Sequence, residues 1–229
     1  MTYCVGIKVN DGMVFASDRR TNAGLDNFNS YTKMYVHKGV DRNIVILTSG
    51  NLATSQAVFN SIGKDLEDPT NGNNLNNLYN MNEIAKYIGR LTVMHSSPDG
   101  FNQEMVELGS TFILGGHIQS QEQELYLIYP QGNFIKTSET KPYLVIGEIK
   151  YGKPILDRVV KSETDLGDAT RCALISMDST MKADLSVGPP IDVLVYKNSL
   201  SKVVYLQSLD VDNPDYQYIS KQWEKGIFE

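Results

Sequence analysis

The order of strand-like and helix-like segments constrains the fold of this 229-residue chain more than any other feature. Apolar residues that alternate, or that run together without a break, are typical of strands, and apolar residues three or four positions apart are typical of helices. Four strands are predicted first, at residues 3–9, 13–16, 31–38 and 43–48. Two helices follow, at residues 53–66 and 81–95. The segment between them, residues 68–80, is rich in Asn and Gly and is expected to form a surface excursion.

The second half also has strands followed by two helices, and it ends with two more strands. Four strands are predicted at residues 110–118, 125–129, 134–137 and 143–146, two helices at 153–161 and 165–183, and a last strand pair at 191–196 and 202–209. Segregated blocks indicate an α+β fold, and strands that are apolar on both faces indicate two stacked, mainly antiparallel sheets. With a helix pair outside each sheet, the simplest architecture is a four-layer αββα sandwich.

The chain shows no repeat, linker or low-complexity break. Residues 1–229 are therefore expected to form a single domain, with a C-terminal tail from about residue 210. This tail is rich in aromatic residues, which favours docking on its own domain or on a neighbour over a free tail.

Composition and charge exclude several classes of function. The net charge of -6 provides no basic surface for nucleic acid or anionic lipid. The N-terminus lacks signal-peptide features, and no stretch approaches the roughly 18 apolar residues of a membrane span, so a cytoplasmic protein is expected.

Cys4 and Cys172 are interpreted as reduced core thiols. The three histidines lie far apart in the sequence, and neither a metal nor a cofactor is expected.

The dipeptide Met1-Thr2 could supply a nucleophile and a base from one residue. Methionine aminopeptidases remove Met when the next residue is small, which would leave Thr2 with a hydroxyl and a free α-amine. This amine has a reference pKa of about 7.7–8.0, so part of it is neutral at pH 7 and can accept the hydroxyl proton. If Met1 is retained, the amine is locked in a peptide bond. The alternative is that this start has no chemical meaning, since many proteins begin with Met-Thr.

The first hairpin is predicted to bring an acid close to Thr2. A three-residue loop at 10–12, with Gly12 in the left-handed conformation, places Cys4 opposite Asp18. Asp18 is then a diagonal neighbour on the face of Thr2, about 7–8 Å away between backbones. The alternative is a surface ion pair with one of the two arginines that follow Asp18.

Two further residues could stabilise developing negative charge. Lys33, near the start of the third strand, could pair with Asp18 and hold positive charge beside the Thr2 hydroxyl, whereas Lys8 lies about 20 Å along the first strand. Gly50 closes an apolar strand before a helix, where its N–H could approach a ligand closely and act as an oxyanion donor. The alternatives are a solvated lysine and a glycine needed only for the turn.

Together these residues resemble the pattern of proteasome β-subunits. Thr2 opens the first strand, residues 15–19 end the second, Lys33 lies in the third, and Ser49-Gly50 precedes the first helix. The strings at residues 1–8, 14–18 and 20–24 are similar to those of Anbu, the bacterial ancestral β-subunit group. The resemblance covers the whole chain in element order and is most specific in the first 55 residues. It implies an N-terminal-nucleophile (Ntn) hydrolase that cleaves peptide or related amide bonds.

The resemblance also implies individual roles. Thr2 would be the nucleophile and, through its amine, the base, while Asp18 and Lys33 would tune it and Gly50 would supply the oxyanion hole. Asp184 and Ser186 fall where the family places an acid and a serine near the amine. Glu148 is a departure, because it follows Gly147 where the family has a Gly-Ser-type turn.

Self-association into rings or helical stacks is implied as well, whereas an ATPase partner and the natural substrate are not. Two alternatives remain open at this point. One is a catalytically inactive assembly subunit, and the other is an amidase for a small non-peptide substrate.

Overall fold

The computed structural model describes residues 1–22, 28–96, 108–119, 121–200 and 202–228. Residues 23 and 24 of the Anbu-like string lie outside this part of the chain. The strands are β1 (Tyr3–Val9), β2 (Gly12–Asp18), β3 (Arg20–Asn22), β4 (Phe28–Ser30), β5 (Met34–Lys38), β6 (Arg42–Gly50), β7 (Ser110–Ile118), β8 (Glu124–Ile128), β9 (Phe134–Lys136), β10 (Tyr143–Gly147), β11 (Ile191–Lys197) and β12 (Lys202–Leu209). The α-helices are α1 (Leu52–Glu67), α2 (Met81–Ser96), α3 (Lys153–Val159), α4 (Leu166–Ala183) and α5 (Pro214–Phe228).

The chain divides into two compact units, one formed by Met1–Met34 with Ser138–Glu229 and the other by Tyr35–Thr137. Each contains a five-stranded sheet and helices, with the strand orders β10-β1-β2-β11-β12 and β5-β6-β7-β8-β9. The prediction of an α+β fold with mainly antiparallel sheets is confirmed. The short ribbon of β3 and β4 was not predicted. Among the described residues, no helix has the length and apolar character that a membrane crossing requires.

The core of the first unit lies between its sheet and the helices α3 and α4. Alternate residues of β1 point to this side, and the apolar positions of α4 recur at helical spacing, so both elements bury one face. The core includes Tyr3, Val5, Ile7, Leu156, Ala169, Ala173 and Met177. Asp165 fixes the start of α4, because its side chain accepts the N–H groups of Gly167 and Asp168. These contacts anchor the strand that follows Thr2.

The hairpin between β1 and β2 has a different register from the predicted one. Val9 pairs with Gly12 and Cys4 with Ser17, so the loop has two residues and the predicted pairing is wrong by one position. Gly12 lies within β2 instead of a left-handed loop. A β-carbon there would lie 2.0 Å from the carbonyl oxygen of Tyr196 in the adjacent strand β11, so close strand packing explains this glycine.

The C-terminal tail forms helix α5, which contacts α4 of the same unit. Its anchor is the buried carboxylate of Asp178, which accepts the hydroxyl groups of Tyr216 at 2.8 Å and Ser220 at 2.9 Å. Lys182 lies 3.2 Å from the second oxygen of the same carboxylate. Of the two docking sites left open by the sequence, the tail therefore uses its own unit.

Replacing Tyr216 by phenylalanine is expected to lower the free energy of unfolding by about 1.5–3 kcal/mol, since a buried carboxylate loses a donor. Tyr218 on the same helix is 66% exposed, so Tyr218→Phe is the matched control and should change stability by less than about 0.5 kcal/mol. Urea denaturation of both variants measures the difference. Equal stabilities would contradict an anchoring role for Asp178.

The second unit buries the apolar faces of α1 and α2 against its sheet. Most of the Asn-rich segment between these helices is exposed, as predicted for a surface excursion, but Leu75 is fully buried and Asn74 is nearly so. The side-chain amide of Asn74 donates to the backbone carbonyls of Asp65 and Asn71 and so satisfies two acceptors of this region. Arg42 donates to the carbonyls of Leu75 and Leu78, which fixes the segment to β6.

Candidate active site

Thr2 belongs to the first unit and lies one residue before β1 begins. It is half-buried, and its carbonyl oxygen accepts the N–H of Glu148 at 2.7 Å. This bond continues the pairing between β1 and β10 beyond the last strand residues. The backbone of Thr2 is therefore held by the sheet, whereas Met1 is exposed.

Asp18 is fully buried at the end of β2. Its Oδ1 atom accepts the backbone N–H of Tyr3 at 3.0 Å and the Lys33 ammonium at 2.8 Å, and its Oδ2 atom accepts the N–H of Gly188 at 3.4 Å. Because the register is shifted by one residue, Asp18 comes opposite Tyr3 and not Cys4. The prediction that Asp18 shares a face with Thr2 is therefore wrong, and its contact is with the backbone directly after Thr2.

The predicted pair of Lys33 with Asp18 is present, and both side chains are buried. The Lys33 ammonium also donates to the carbonyl of Arg20 at 2.6 Å, which fixes its position. Burial raises the pKa of Asp18, while the charge of Lys33 and the N–H donors of Tyr3 and Gly188 oppose that increase. The alternative of a surface pair with an adjacent arginine does not apply to Arg19, which binds Asp192 at 2.7 Å.

Asp184 and Ser186 lie in the loop after α4 and bind each other. The N–H and O–H of Ser186 both donate to Asp184 Oδ1, at 2.8 and 2.6 Å. Burial favours a higher pKa for Asp184, but these bonds, the charge of the chain's N-terminal ammonium and that of Lys150 lower the pKa below its usual value.

The same loop is joined to the Asp18 site by two further bonds. Arg20 donates to the carbonyl of Leu185 at 2.6 Å, and the Gly188 N–H reaches Asp18. The structure of the first unit therefore brings together all predicted site residues that belong to it.

Gly50 belongs to the second unit, where it ends β6 with φ +109°. A β-carbon at this position would lie 2.4 Å from the carbonyl oxygen of Gly109, so only glycine fits without strain. The next residue, Asn51, donates its N–H to Gly109 and caps α1. Because bonded pairs alternate along an antiparallel ladder, the Gly50 N–H points away from β7. That this N–H acts as an oxyanion donor stays a prediction, and so does the alternative that Gly50 is needed only for the turn.

Cys4 is fully buried, and burial raises its pKa, so it is a poor nucleophile. Within the described ranges, no group of three or more His, Cys, Asp or Glu side chains could hold a metal ion.

The buried position of Glu148 beside Thr2 was not predicted from the sequence. Its backbone bond to Thr2 depends on the register of β1 with β10, two strands separated by most of the chain. The departure from the Gly-Ser-type turn was the one signal at this position.

Known proteins match both the sequence and the fold. A family model described as proteasome subunit matches residues 2–196. The structure of Anbu (ancestral beta-subunit) from Yersinia bercovieri is 38% identical, with a TM-score of 0.93 over 99% of this chain and 94% of that one. The helical assembly of the Anbu complex from Pseudomonas aeruginosa is 39% identical, with a TM-score of 0.92 over the same shares of the two chains.

Matches to the curated relatives are shorter. Proteasome subunit beta 1 of Saccharolobus islandicus is 35% identical over 86 residues, which span 38% of this chain and 34% of that relative. The chain belongs to the proteasome subunit family, and within it to the Anbu group.

Proposed function

We propose that the chain is a threonine hydrolase that cleaves peptide or related amide bonds once Met1 has been removed. The observation that carries this proposal is the buried Asp18 carboxylate, which binds both Lys33 and the backbone N–H directly after Thr2. A buried ion pair is costly unless it is well bonded, and this one has donors on both carboxylate oxygens. In the processed protein, the same arrangement would hold the Lys33 ammonium close to the hydroxyl of Thr2.

The proposed reaction begins when Thr2 Oγ attacks the substrate carbonyl carbon and its proton passes to the α-amine. The C–N bond then breaks, the leaving amine takes that proton, and an ester of Thr2 remains. Water attacks the ester, releases the acid product and returns the hydroxyl to Thr2. Lys33 lowers the energy of the developing alkoxide, and the Gly50 N–H is the proposed donor to the oxyanion.

The test is covalent labelling by a peptide epoxyketone, which requires both the hydroxyl and the free amine of an N-terminal threonine. Intact mass should show loss of Met1, and peptide mapping should place the adduct on Thr2. Thr2→Ser should be labelled and Thr2→Ala should not. A processed wild-type protein that never reacts would favour an inactive assembly subunit, and a protein that is labelled but cleaves no peptide would favour an amidase for small substrates.

We also propose that the chain assembles with copies of itself in the cytoplasm. This proposal is supported by the relative from Pseudomonas aeruginosa, whose structure is a helical assembly. Sedimentation velocity of the purified protein would test it, and a single monomeric species at all concentrations would contradict it.

A further inference from the structure

Three buried hydroxyl groups form a cluster beside the turn at Gly50, within the second unit. Thr48 lies near the end of β6, Ser55 in the first turn of α1, and Ser110 at the start of β7, where it pairs with Gly50. All three side chains are buried. Ser55 Oγ lies 2.7 Å from Thr48 Oγ1 and 3.1 Å from Ser110 Oγ, so Ser55 is the central member of this hydroxyl cluster.

The hydroxyl cluster binds the backbone of Asn51, the N-cap residue of α1. The Asn51 carbonyl accepts the Ser110 hydroxyl at 2.8 Å, the Ser55 hydroxyl at 3.0 Å and the Ser55 N–H at 3.1 Å. The Asn51 N–H donates to the carbonyl of Gly109 at 3.0 Å, so both polar groups of this backbone are held. A hydroxyl has one proton and two lone pairs, so Ser55 can donate to Asn51 while it accepts from Thr48.

The Ser49–Gly50 peptide lies between two positions that the hydroxyl cluster fixes. Thr48 precedes it, Asn51 follows it, and the Ser55 hydroxyl contacts both. Gly50 has φ +109° and no side chain of its own to restrict it, so its orientation depends on these neighbours. The N–H of this peptide is the one that points away from β7. The Ser55 hydroxyl is therefore placed to fix the direction of that N–H.

The need to satisfy a buried carbonyl does not explain the hydroxyl cluster. The Asn51 carbonyl already accepts the Ser55 N–H, as is usual at the start of a helix. Buried hydroxyl groups need partners of their own, and apolar side chains of the same shape can be nearly as stable or more stable. A cluster that joins a strand end, a helix start and a neighbouring strand instead limits the movement of the turn between them.

We propose that Ser55 is a positioning residue that holds the Gly50 N–H in the direction needed for an oxyanion donor. This inference rests on the proposed function, in which that N–H binds the oxyanion formed when Thr2 attacks. Donors of this kind are effective because they are oriented before the charge develops. Loss of the Ser55 hydroxyl should therefore slow the attack by Thr2 and leave the binding of substrate or inhibitor nearly unchanged.

Hydrogen–deuterium exchange with mass spectrometry measures the mobility of the turn without requiring turnover. In Ser55→Ala, the amides of residues 50–55 are expected to exchange about 3-fold to 10-fold faster than in the wild type, since one buried hydrogen bond no longer opposes local opening. Thr92→Val is the matched control, because Thr92 is a fully buried hydroxyl residue of α2 that also donates to the carbonyl four positions earlier, at 2.8 Å. This control should leave exchange at residues 50–55 unchanged.

Labelling kinetics with the peptide epoxyketone measure the effect on the reaction. The attack of Thr2 on the ketone generates an oxyanion, so the maximal labelling rate depends on the donor, whereas the inhibitor concentration at half that rate reports binding. In folded Ser55→Ala, the maximal rate should fall about 10-fold to 100-fold while the half-saturating concentration stays nearly the same. Thr92→Val should change neither value, which separates positioning from a general loss of stability.

Ser110→Ala takes the place of Ser55→Ala if the latter does not fold, and it should act in the same direction because Ser110 binds the same carbonyl. Exchange and labelling at wild-type rates would overturn the inference, and so would faster exchange with an unchanged maximal labelling rate. If processed wild-type protein is never labelled, the proposed hydrolase is refuted and exchange alone decides. Faster exchange at residues 50–55 would then support the hold of Ser55 on the turn, and equal exchange would overturn it.

Discussion

Lys33→Met is expected to lower the free energy of unfolding by about 3–5 kcal/mol and to eliminate labelling of Thr2 by an epoxyketone. The reason is that the variant leaves the buried Asp18 carboxylate without its cation, 2.8 Å away in the wild type. It also removes the donor to the carbonyl of Arg20. Urea denaturation at neutral pH and intact mass after labelling measure the two effects.

The stability loss of Lys33→Met should increase with pH. Burial raises the pKa of Asp18 already in the wild type, and loss of Lys33 removes a charge that opposes this increase. An acid with a folded-state pKa above its unfolded value binds its proton more tightly in the folded protein. Its contribution to stability is present below the unfolded pKa, about 3.9, and is lost as pH rises through the folded pKa. The variant should therefore be closer to the wild type at about pH 4 than at about pH 8.

A double variant separates stability from reactivity. Asp18→Asn combined with Lys33→Met has no buried charge at this pair of positions and should recover most of the lost stability, without recovering the labelling of Thr2. Lys8→Met is the matched control, because this lysine lies about 20 Å along β1 from Thr2 and should leave both properties unchanged. Labelling of the double variant at the wild-type rate would show that the pair is only structural.

Local spacing was sufficient to predict the pairing of Lys33 with Asp18, because Asp18 closely follows the second predicted strand and Lys33 lies near the start of the third. The register of the hairpin could not be predicted in this way, because the position of Gly12 depends on a strand that is distant in the sequence. Gly12 pairs with Lys197 of β11, and close approach of that strand keeps it within β2. A loop considered alone permits both two and three residues, so this choice could not be made from the hairpin sequence.

The burial of polar residues is the second feature that could not be predicted from the sequence. The Asn-rich segment has the composition of an exposed turn, but the Asn74 side chain bonds the carbonyls of Asp65 and Asn71, and Leu75 enters the core. The buried Glu148 and Asp178 are similar cases, because each contacts a residue far away in the sequence, Thr2 for Glu148 and Tyr216 for Asp178. Such contacts follow from tertiary register, which neither apolar periodicity nor turn chemistry encodes.

Gly50→Ala is expected to reduce Thr2 labelling of the folded protein strongly, if the Gly50 N–H is the oxyanion donor that the resemblance implies. Loss of one such donor costs about 100-fold to 1000-fold in rate. The substitution should also destabilise the fold, since alanine at φ +109° costs about 1–3 kcal/mol before its clash with the Gly109 carbonyl is counted. Labelling rates must therefore be compared at a temperature where each variant is folded.

Gly116→Ala provides the matched control for the backbone effect. Gly116 has φ +149°, and a β-carbon there would lie 2.1 Å from the carbonyl oxygen of Asn43. It pairs with Ile44, six residues and about 20 Å along β6 from Gly50. Both variants should lose stability, because each forces a β-carbon against a neighbouring carbonyl, but only Gly50→Ala should lose labelling. Similar labelling rates in the two folded variants would leave Gly50 with a role in the strand-to-helix turn and would exclude it as the oxyanion donor.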